Sequence, residues 1–238
     1  MEKRLNKFIA DSGYCSRREA DRLIQEGKVT IDGRVAGLGE KVLPGMRVAV
    51  NGAPLSGIGE RVYLAVYKPK GIVCTADSRE PMNIVDYVRY PARVYPVGRL
   101  DKDSEGLILM TSDGDMVNRL LRAAGGHERE YEVAVDRPLT PEFMAKMRAG
   151  VPILGRVTLP CRLRRTGPGS FNLTLVQGLN RQIRRMCEAL GLDVARLSRV
   201  EIGGVKLEGL PTGKWRELTE KEIAALSKLT VDNEPYKS

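Results

Sequence analysis

The sequence predicts an α+β fold in two parts: a small N-terminal helix-and-hairpin module, then a larger domain with a mixed, mostly antiparallel sheet and flanking helices. Three observations predict it. Helix and strand patterns alternate along 238 residues without an internal repeat, and their connections vary too much for regular βαβ winding. A Gly-containing segment also separates the parts. We place the module at 1–55, a linker at 56–61, the larger domain at 62–230 and a polar tail at 231–238.

The composition favours a cytoplasmic protein that binds a polyanion. Hydrophobic residues make up 42% and the formal net charge is +9, which makes nucleic acid the first candidate partner. No apolar run approaches the roughly 18 residues of a membrane span, and the N-terminus has no signal-peptide pattern. Cysteines are few and far apart and His127 is the one histidine, so we expect no metal and no cofactor.

The N-terminal module is predicted from helix and turn signals. Apolar residues at i, i+3 and i+4 within 5–9 indicate a first helix. Ser16 and Glu19 form a capping-box pattern at the start of a second helix, and Gly27 is a suitable end for it. Asp32 and Gly33 then provide a two-residue hairpin turn.

The larger domain alternates strand and helix patterns. The predicted strands are Val62–Val66, Leu107–Thr111, Tyr131–Val135, Phe171–Val176 and Val205–Leu207. The predicted helices are Ile84–Val88, Asp115–Ala123, Pro141–Ala149, Arg181–Leu190 and Glu220–Leu229.

The segment 98–114 carries the strongest indication of chemistry. Asp101 lies between cations, shortly before the apolar run that predicts a buried strand. A carboxylate near apolar surroundings has to be paired or it becomes neutral, so such a position is often functional. From the pattern alone, an Asp-rich loop that caps the strand is supported equally well.

A basic amphipathic helix is the second indication. Asn180 is a suitable N-cap, and an apolar stripe begins at Ile183. Arg184 lies at the border of this stripe and can turn toward a buried carboxylate, whereas Arg181 and Arg185 point outward and suit phosphate. The alternative is a surface helix with ordinary salt bridges.

Two further segments are less specific by themselves. Strand alternation places Tyr131 on an apolar face, where a tyrosine usually belongs to the core. Lys68 and Lys70 lie in a basic turn after a strand. Arg17 and Arg18 lie at the start of the second helix. They are interpreted either as part of a phosphate-binding face or as an ordinary solvated helix surface.

Both parts resemble known families. The run "RLNKFIADSGYCSRREADRLIQEGKVTIDGRVAGLGEKVLPG" resembles the RNA-binding domain shared with ribosomal small-subunit protein four, which implies RNA contacts for Arg17, Arg18 and Lys28. The segments "KPKG", "VYPVGRLDKDSEGLILMTSDGD", "EREYEVAV" and "VQGLNRQIRRMCEALG" resemble the RsuA branch of pseudouridine synthases. This resemblance implies a pseudouridine synthase catalytic domain.

The resemblance implies that uracil is detached from the ribose at N1, turned and rejoined through C5, without a metal or a redox step. Asp101 is then the nucleophile, on ribose C1′ or on uracil C6, and Arg184 its ion-pair partner. By the same resemblance, Tyr131 is expected to stack on the uracil and to take the C5 proton, directly or through a relay. Arg99 fills the space left by the extruded nucleotide.

The remaining implied contacts are Ile183 beside the uracil ring, and Lys68 and Lys70 at the floor of the site or on phosphate. The expected substrate is a 23S ribosomal RNA uridine. The alternatives are a 16S or transfer RNA uridine and, less well supported, a catalytically silent RNA-binding assembly factor. The member that the chain resembles most carries a long basic C-terminal tail that is absent here, so we expect folded surfaces to capture the RNA.

Overall fold

The structure is a computed structural model that describes residues 2–55, 57, 59–122 and 127–231. Its contacts define two compact units. One comprises Met1–Val62 with Pro91–Arg93 and Ser112–Gly114, and the other comprises Tyr63–Tyr90, Val94–Thr111 and Asp115–Ser238. Part of the predicted linker (56 and 58) and the predicted tail from 232 onward lie outside the described residues.

The N-terminal unit contains two helices and two small sheets. Its elements are β1 (Lys3–Arg4), α1 (Leu5–Asp11), α2 (Arg17–Gln25), β2 (Val29–Ile31), β3 (Arg34–Val35), β4 (Lys41–Val42), β5 (Val48–Val50) and β6 (Ala53–Pro54). The sheets have the orders β1-β4 and β3-β2-β5-β6. Leu5, Ile9 and Ile24 are among the residues that form one apolar core between these elements.

The predicted capping box is half formed. The Ser16 hydroxyl accepts a hydrogen bond from the Glu19 backbone N–H at 3.1 Å. The carboxylate of Glu19 accepts from the Arg22 guanidinium instead of reaching back to Ser16, because a cation three residues along the helix competes for it.

The larger unit contains the remaining elements. Its helices are α3 (Ile84–Val88), α4 (Gly114–Arg122), α5 (Pro141–Ala149), α6 (Gln182–Ala189) and α7 (Glu220–Val231). Its strands are β7 (Tyr63–Lys68), β8 (Tyr95–Val97), β9 (Glu105–Thr111), β10 (Arg129–Val135), β11 (Pro152–Ile153), β12 (Arg156–Val157), β13 (Arg162–Gly167), β14 (Ser170–Leu175), β15 (Val194–Ile202), β16 (Val205–Lys206) and β17 (Trp215–Glu217).

One nine-stranded sheet organises this unit. Seven strands follow the order β13-β14-β10-β15-β9-β7-β17, with β8 paired to β9 and β16 paired to β15. β15 and β9 are parallel, and the other pairs are antiparallel. The predicted mixed, mostly antiparallel sheet is therefore confirmed.

Apolar side chains cover the sheet in two clusters. α5 and α6 pack over β10, β13, β14 and β15, with Phe171, Leu173 and Met186 fully buried. α4 and α7 pack over β7 and β9 through a second cluster that includes Leu107 and Val205. None of the helices in the described ranges is long and apolar enough to cross a membrane.

The prediction for the start of α6 is wrong. Arg181, not Asn180, occupies the N-cap position, with a φ of 50°. The Gln182 side chain accepts from the Leu179 N–H at 2.9 Å, and the Asn180 carbonyl accepts from Arg185 at 3.1 Å. These side-chain bonds tighten the turn before the helix, so Asn180 is displaced from the capping position.

Candidate active site

A short acidic loop connects β8 to β9 and holds Asp101 shortly before β9 begins at Glu105. Ser104 donates its backbone N–H to the Asp101 carbonyl at 3.1 Å, which makes the loop a tight turn. Gly71, in the basic turn after β7, donates its N–H to the Lys102 carbonyl at 2.7 Å. This hydrogen bond holds the basic turn against the acidic loop, although Gly71 and Lys102 are far apart in the sequence.

Three carboxylates belong to this segment, and two of them are tightly paired. Asp103 accepts two hydrogen bonds from Arg181, at 3.0 and 2.8 Å, and this pairing lowers the pKa of Asp103. Glu105 accepts from Arg196 at 2.6 Å. The Asp101 side chain is 35% exposed and its contact is a long one, 3.9 Å from Arg181. Asp101 therefore carries the least engaged carboxylate of the three.

Arg184 approaches the loop but does not pair with Asp101 as predicted. Its Nε lies 3.3 Å from the Asp103 carboxylate, and its Nη2 donates to the Asp103 carbonyl at 3.0 Å. Its Nη1 donates to the Val194 carbonyl at 3.2 Å. The acidic residue two positions further along the loop takes the ion pair, because the turn at Ser104 presents both its carboxylate and its carbonyl to α6.

Lys68 is fully buried beneath this loop, with 0% of its surface exposed. Its Nζ donates to the carbonyls of Pro69 and Ile72, both at 2.9 Å. Burial lowers the pKa of Lys68, and the nearby carboxylates, among them Asp103 and Asp101, oppose that change. A phosphate contact is wrong for Lys68 because RNA cannot reach a buried ammonium group.

Tyr131 lies on β10, opposite Leu173 on one side and Arg199 on the other. It packs against the apolar cluster that contains Ile183 of α6, so the structure brings these two predicted residues to one face. None of the described side chains hydrogen-bonds the Tyr131 hydroxyl. Burial lowers the pKa of the neighbouring Arg129, and the charge of Arg199 adds to this effect.

Arg199 is a buried cation opposite Tyr131 that the sequence patterns do not single out. It is 5% exposed, and its Nε donates to the Leu107 carbonyl at 2.8 Å. Its Nη2 is buried without a hydrogen-bond partner. The sequence does contain an indication of this burial, because in a strand Arg199 lies on the same face as the apolar Leu197.

Gly106 allows β9 and β15 to approach at this point. It has a φ of 111°, and a Cβ there would lie 2.3 Å from the Arg199 carbonyl oxygen. A side chain at this position would therefore push apart the parallel strands that carry Arg199 and the end of the acidic loop.

The other predicted contacts are solvent-facing cations. Arg99 and Lys70 are exposed beside the acidic loop. Arg185 is partly buried, and among the described residues its side chain donates to Asn180, at 3.1 and 3.3 Å. In the N-terminal unit, the contacts implied for RNA are all exposed: Arg17, Arg18 and Lys28.

The described residues show no metal-binding arrangement: no group of three or more His, Cys, Asp or Glu side chains could hold an ion. The four cysteines are unpaired thiols. His127 lies in a loop but is only 5% exposed, and burial lowers its pKa.

Comparisons with known proteins identify the family of each part of the chain. The model of the "RNA pseudouridylate synthase" family matches residues 62–189, and the "S4 domain" model matches residues 3–54. The chain is 53% identical over 228 residues to "Dual-specificity RNA pseudouridine synthase RluF" of Escherichia coli (strain K12), which covers 95% of this chain and 79% of that protein. It is 36% identical over 236 residues to "Ribosomal large subunit pseudouridine synthase B" of Bacillus subtilis (strain 168), with 95% and 96% covered.

A solved structure titled "Crystal structure of pseudouridylate synthase" also matches, with a TM-score of 0.67 and 32% identity over 94% of this chain and 99% of that one. The chain belongs to the RNA pseudouridylate synthase family. It is an isomerase that joins an S4-type RNA-binding domain to a pseudouridine synthase catalytic domain, within the RsuA branch that the motifs predict.

Proposed function

We propose that this protein converts a uridine of 23S ribosomal RNA to pseudouridine in the cytoplasm, with Asp101 as the nucleophile. The observation that carries the proposal is the state of the three loop carboxylates. Asp103 and Glu105 are held at hydrogen-bond distance by arginines, whereas Asp101 is partly exposed, 3.9 Å from Arg181. A carboxylate that lies near cations but accepts no close hydrogen bond from them keeps its lone pairs available for nucleophilic attack.

In the proposed reaction the bond between uracil N1 and ribose C1′ breaks, and a bond between C5 and C1′ forms. Asp101 attacks either C1′ or C6, and it leaves again when the new bond is complete. The hydrogen on C5 is removed as a proton and N1 gains one, so the isomerisation is balanced without an external reactant. Tyr131, with its hydroxyl not committed to another described side chain, is placed to remove the C5 proton.

The surrounding cations take the supporting roles. Arg184 positions the loop by its bonds to Asp103, and Lys68 forms the charged floor of the site. Arg99 is exposed beside the loop and fills the space of the extruded nucleotide, since a uridine inside a stacked helix is out of reach. Ile183 packs against the uracil, and Lys70, Arg181 and Arg185 contact phosphate.

The N-terminal unit is proposed as a separate RNA-binding domain over residues 1–55, joined by a linker at 56–61 to a catalytic domain at 62–230. Arg17 and Arg18 are exposed at the start of α2, and Lys28 precedes β2. These cations supply phosphate contacts that hold the RNA while the catalytic domain acts.

A second RNA substrate is the alternative. The Escherichia coli relative is named as a dual-specificity enzyme, whereas the Bacillus subtilis relative is named for the ribosomal large subunit. Neither name states a second RNA, so a 16S ribosomal or a transfer RNA uridine is the second candidate, and the experiment has to cover both RNA classes.

The test maps pseudouridine across ribosomal and transfer RNA of cells that contain the native protein, Asp101→Asn or Asp103→Asn. We expect Asp101→Asn to remove the modification completely at one or two positions, and those positions name the substrate. Asp103→Asn is the matched control: it removes a neighbouring carboxylate but should leave the modification detectable. An unchanged map in Asp101→Asn cells would refute the proposal.

A further inference from the structure

The hairpin formed by β11 and β12 has an unusual turn. Pro152 pairs with Val157 and Ile153 pairs with Arg156, so the turn consists of Leu154 and Gly155 alone. Both have positive φ values, 50° and 70°. Two-residue turns of this kind favour Asn-Gly or Asp-Gly, because L residues with a larger side chain rarely adopt a positive φ. Leucine at this position lowers the stability of the turn and places an apolar side chain at its exposed tip.

The outward face of the hairpin is apolar where a polar face is expected. Leu154 is 50% exposed, Val157 62% and Leu159 49%. The inward face is anchored: Ile153 belongs to the apolar cluster of α6, and Val151 and Thr158 are buried. The hairpin is therefore a firmly held element that presents an apolar tip to the outside.

The base of the hairpin is attached to the elements that carry the candidate active site. Leu159 donates its N–H to the Gln177 side chain at 3.1 Å. Gln177 lies in the segment that leads to Arg181, and β11 packs against α6, which carries Ile183. The hairpin is thus attached at its base to the segment and the helix that carry Arg181, Ile183 and Arg184.

We propose that the tip of this hairpin, Leu154 with Arg156, contacts the substrate RNA and stabilises its unstacked form. This inference rests on the proposed function. An apolar side chain that enters a base step favours unstacking, and a neighbouring cation neutralises phosphate. Arg156 is exposed, with no side-chain bond among the described residues, so its guanidinium is available for that contact. RNA is the partner that the basic chain and the adjacent site favour.

The decisive variant is Leu154→Asn, because it separates stability from RNA contact. Asn-Gly is the preferred turn sequence, so the melting temperature should stay the same or rise. We expect kcat/KM, measured as tritium release from 23S RNA transcript labelled at uracil C5, to fall about tenfold. Equal activity in Leu154→Asn and the native protein would overturn the proposal.

Arg156→Gln tests the cation, with Lys146→Gln as its control. Lys146 is an exposed cation on α5, paired with Glu142 at 2.6 Å. Arg156→Gln should weaken binding of the transcript and reduce the salt dependence of binding by about one counterion. Lys146→Gln should change neither, and equal effects of the two variants would argue against a specific contact.

A contact measurement distinguishes this inference from the proposed function. Leu154→Cys is labelled with a benzophenone maleimide and irradiated with 23S RNA transcript and, separately, with large ribosomal subunits. Crosslinks to RNA support the hairpin contact even if no 23S uridine is modified. Crosslinks confined to ribosomal protein, or none at all in a preparation that releases tritium normally, would refute the hairpin contact and leave the enzymatic function intact.

Discussion

Replacing Arg184 by methionine is the sharpest test of how the acidic loop is held. The side chain of Arg184 is 14% exposed and donates to the carbonyls of Asp103 and Val194 at 3.0 and 3.2 Å. Methionine preserves much of the volume but removes both bonds and the charge. The acidic loop would then be fastened to α6 through Arg181 alone.

The size of the effect follows from these contacts. Hydrogen bonds that involve a charged group contribute about 1.5–3 kcal/mol each when both partners are buried. Asp103 is half exposed and keeps Arg181, so water and the second arginine offset much of the loss. We expect Arg184→Met to lower the free energy of unfolding by about 2 kcal/mol, which corresponds to a decrease in melting temperature of roughly 4–8 °C.

Two assays measure the consequences. Urea unfolding gives the stability change, and tritium release from C5-labelled RNA gives kcat and KM separately. Because Arg184 positions the loop that carries Asp101, kcat should fall more than KM rises. Arg185→Met is the matched control, because Arg185 lies on the same helix and its side chain donates to Asn180 and not to the acidic loop in the part of the chain that the structure describes. Its main effect should be on KM. If Arg184→Met raised KM and left kcat unchanged, Arg184 would be a phosphate contact and the reasoning would be wrong.

Two further predictions concern stability. Gly106→Ala should lower the free energy of unfolding by at least about 2 kcal/mol, because the new Cβ would lie 2.3 Å from the Arg199 backbone. Gly114→Ala is the control in the same thermal unfolding experiment. It should be nearly neutral, because a Cβ at Gly114 would meet nothing within 4 Å. The Glu222 carboxylate accepts hydrogen bonds from Arg216 and Thr219, which lower the pKa of Glu222 to about 2. The contribution of this carboxylate to the free energy of unfolding is therefore complete above the pKa that Glu222 has in the unfolded chain. It is lost as the pH falls through about 2. Glu222→Gln should cost about 1 kcal/mol at pH 7 and nothing near pH 2, and a difference that persisted in acid would contradict this assignment.

Strand patterns explain which parts of the fold could be predicted. β9 and β10 were found because their buried residues alternate or run continuously. The sequence patterns do not predict β13 and β15. β13 is an edge strand and is mostly exposed, so it lacks a buried face. In β15, Arg196 and Arg199 lie on opposite faces of the strand, so neither face is uniformly apolar. In the folded protein each arginine has a partner: Arg196 donates to the Glu105 carboxylate, and Arg199 donates to the Leu107 carbonyl.

The family, the two-part organisation and the expectation that Asp101 carries the chemistry follow from the chain alone, because they depend on residue types at fixed spacings. The partner of each charge depends instead on how the loops and strands pack. Arg184 binds Asp103 and not Asp101, Lys68 is buried instead of facing phosphate, and Arg199 enters the site from a strand that had not been predicted. The physical reason is that ion pairs form over a few ångströms, and that spacing is set by loop turns and strand register.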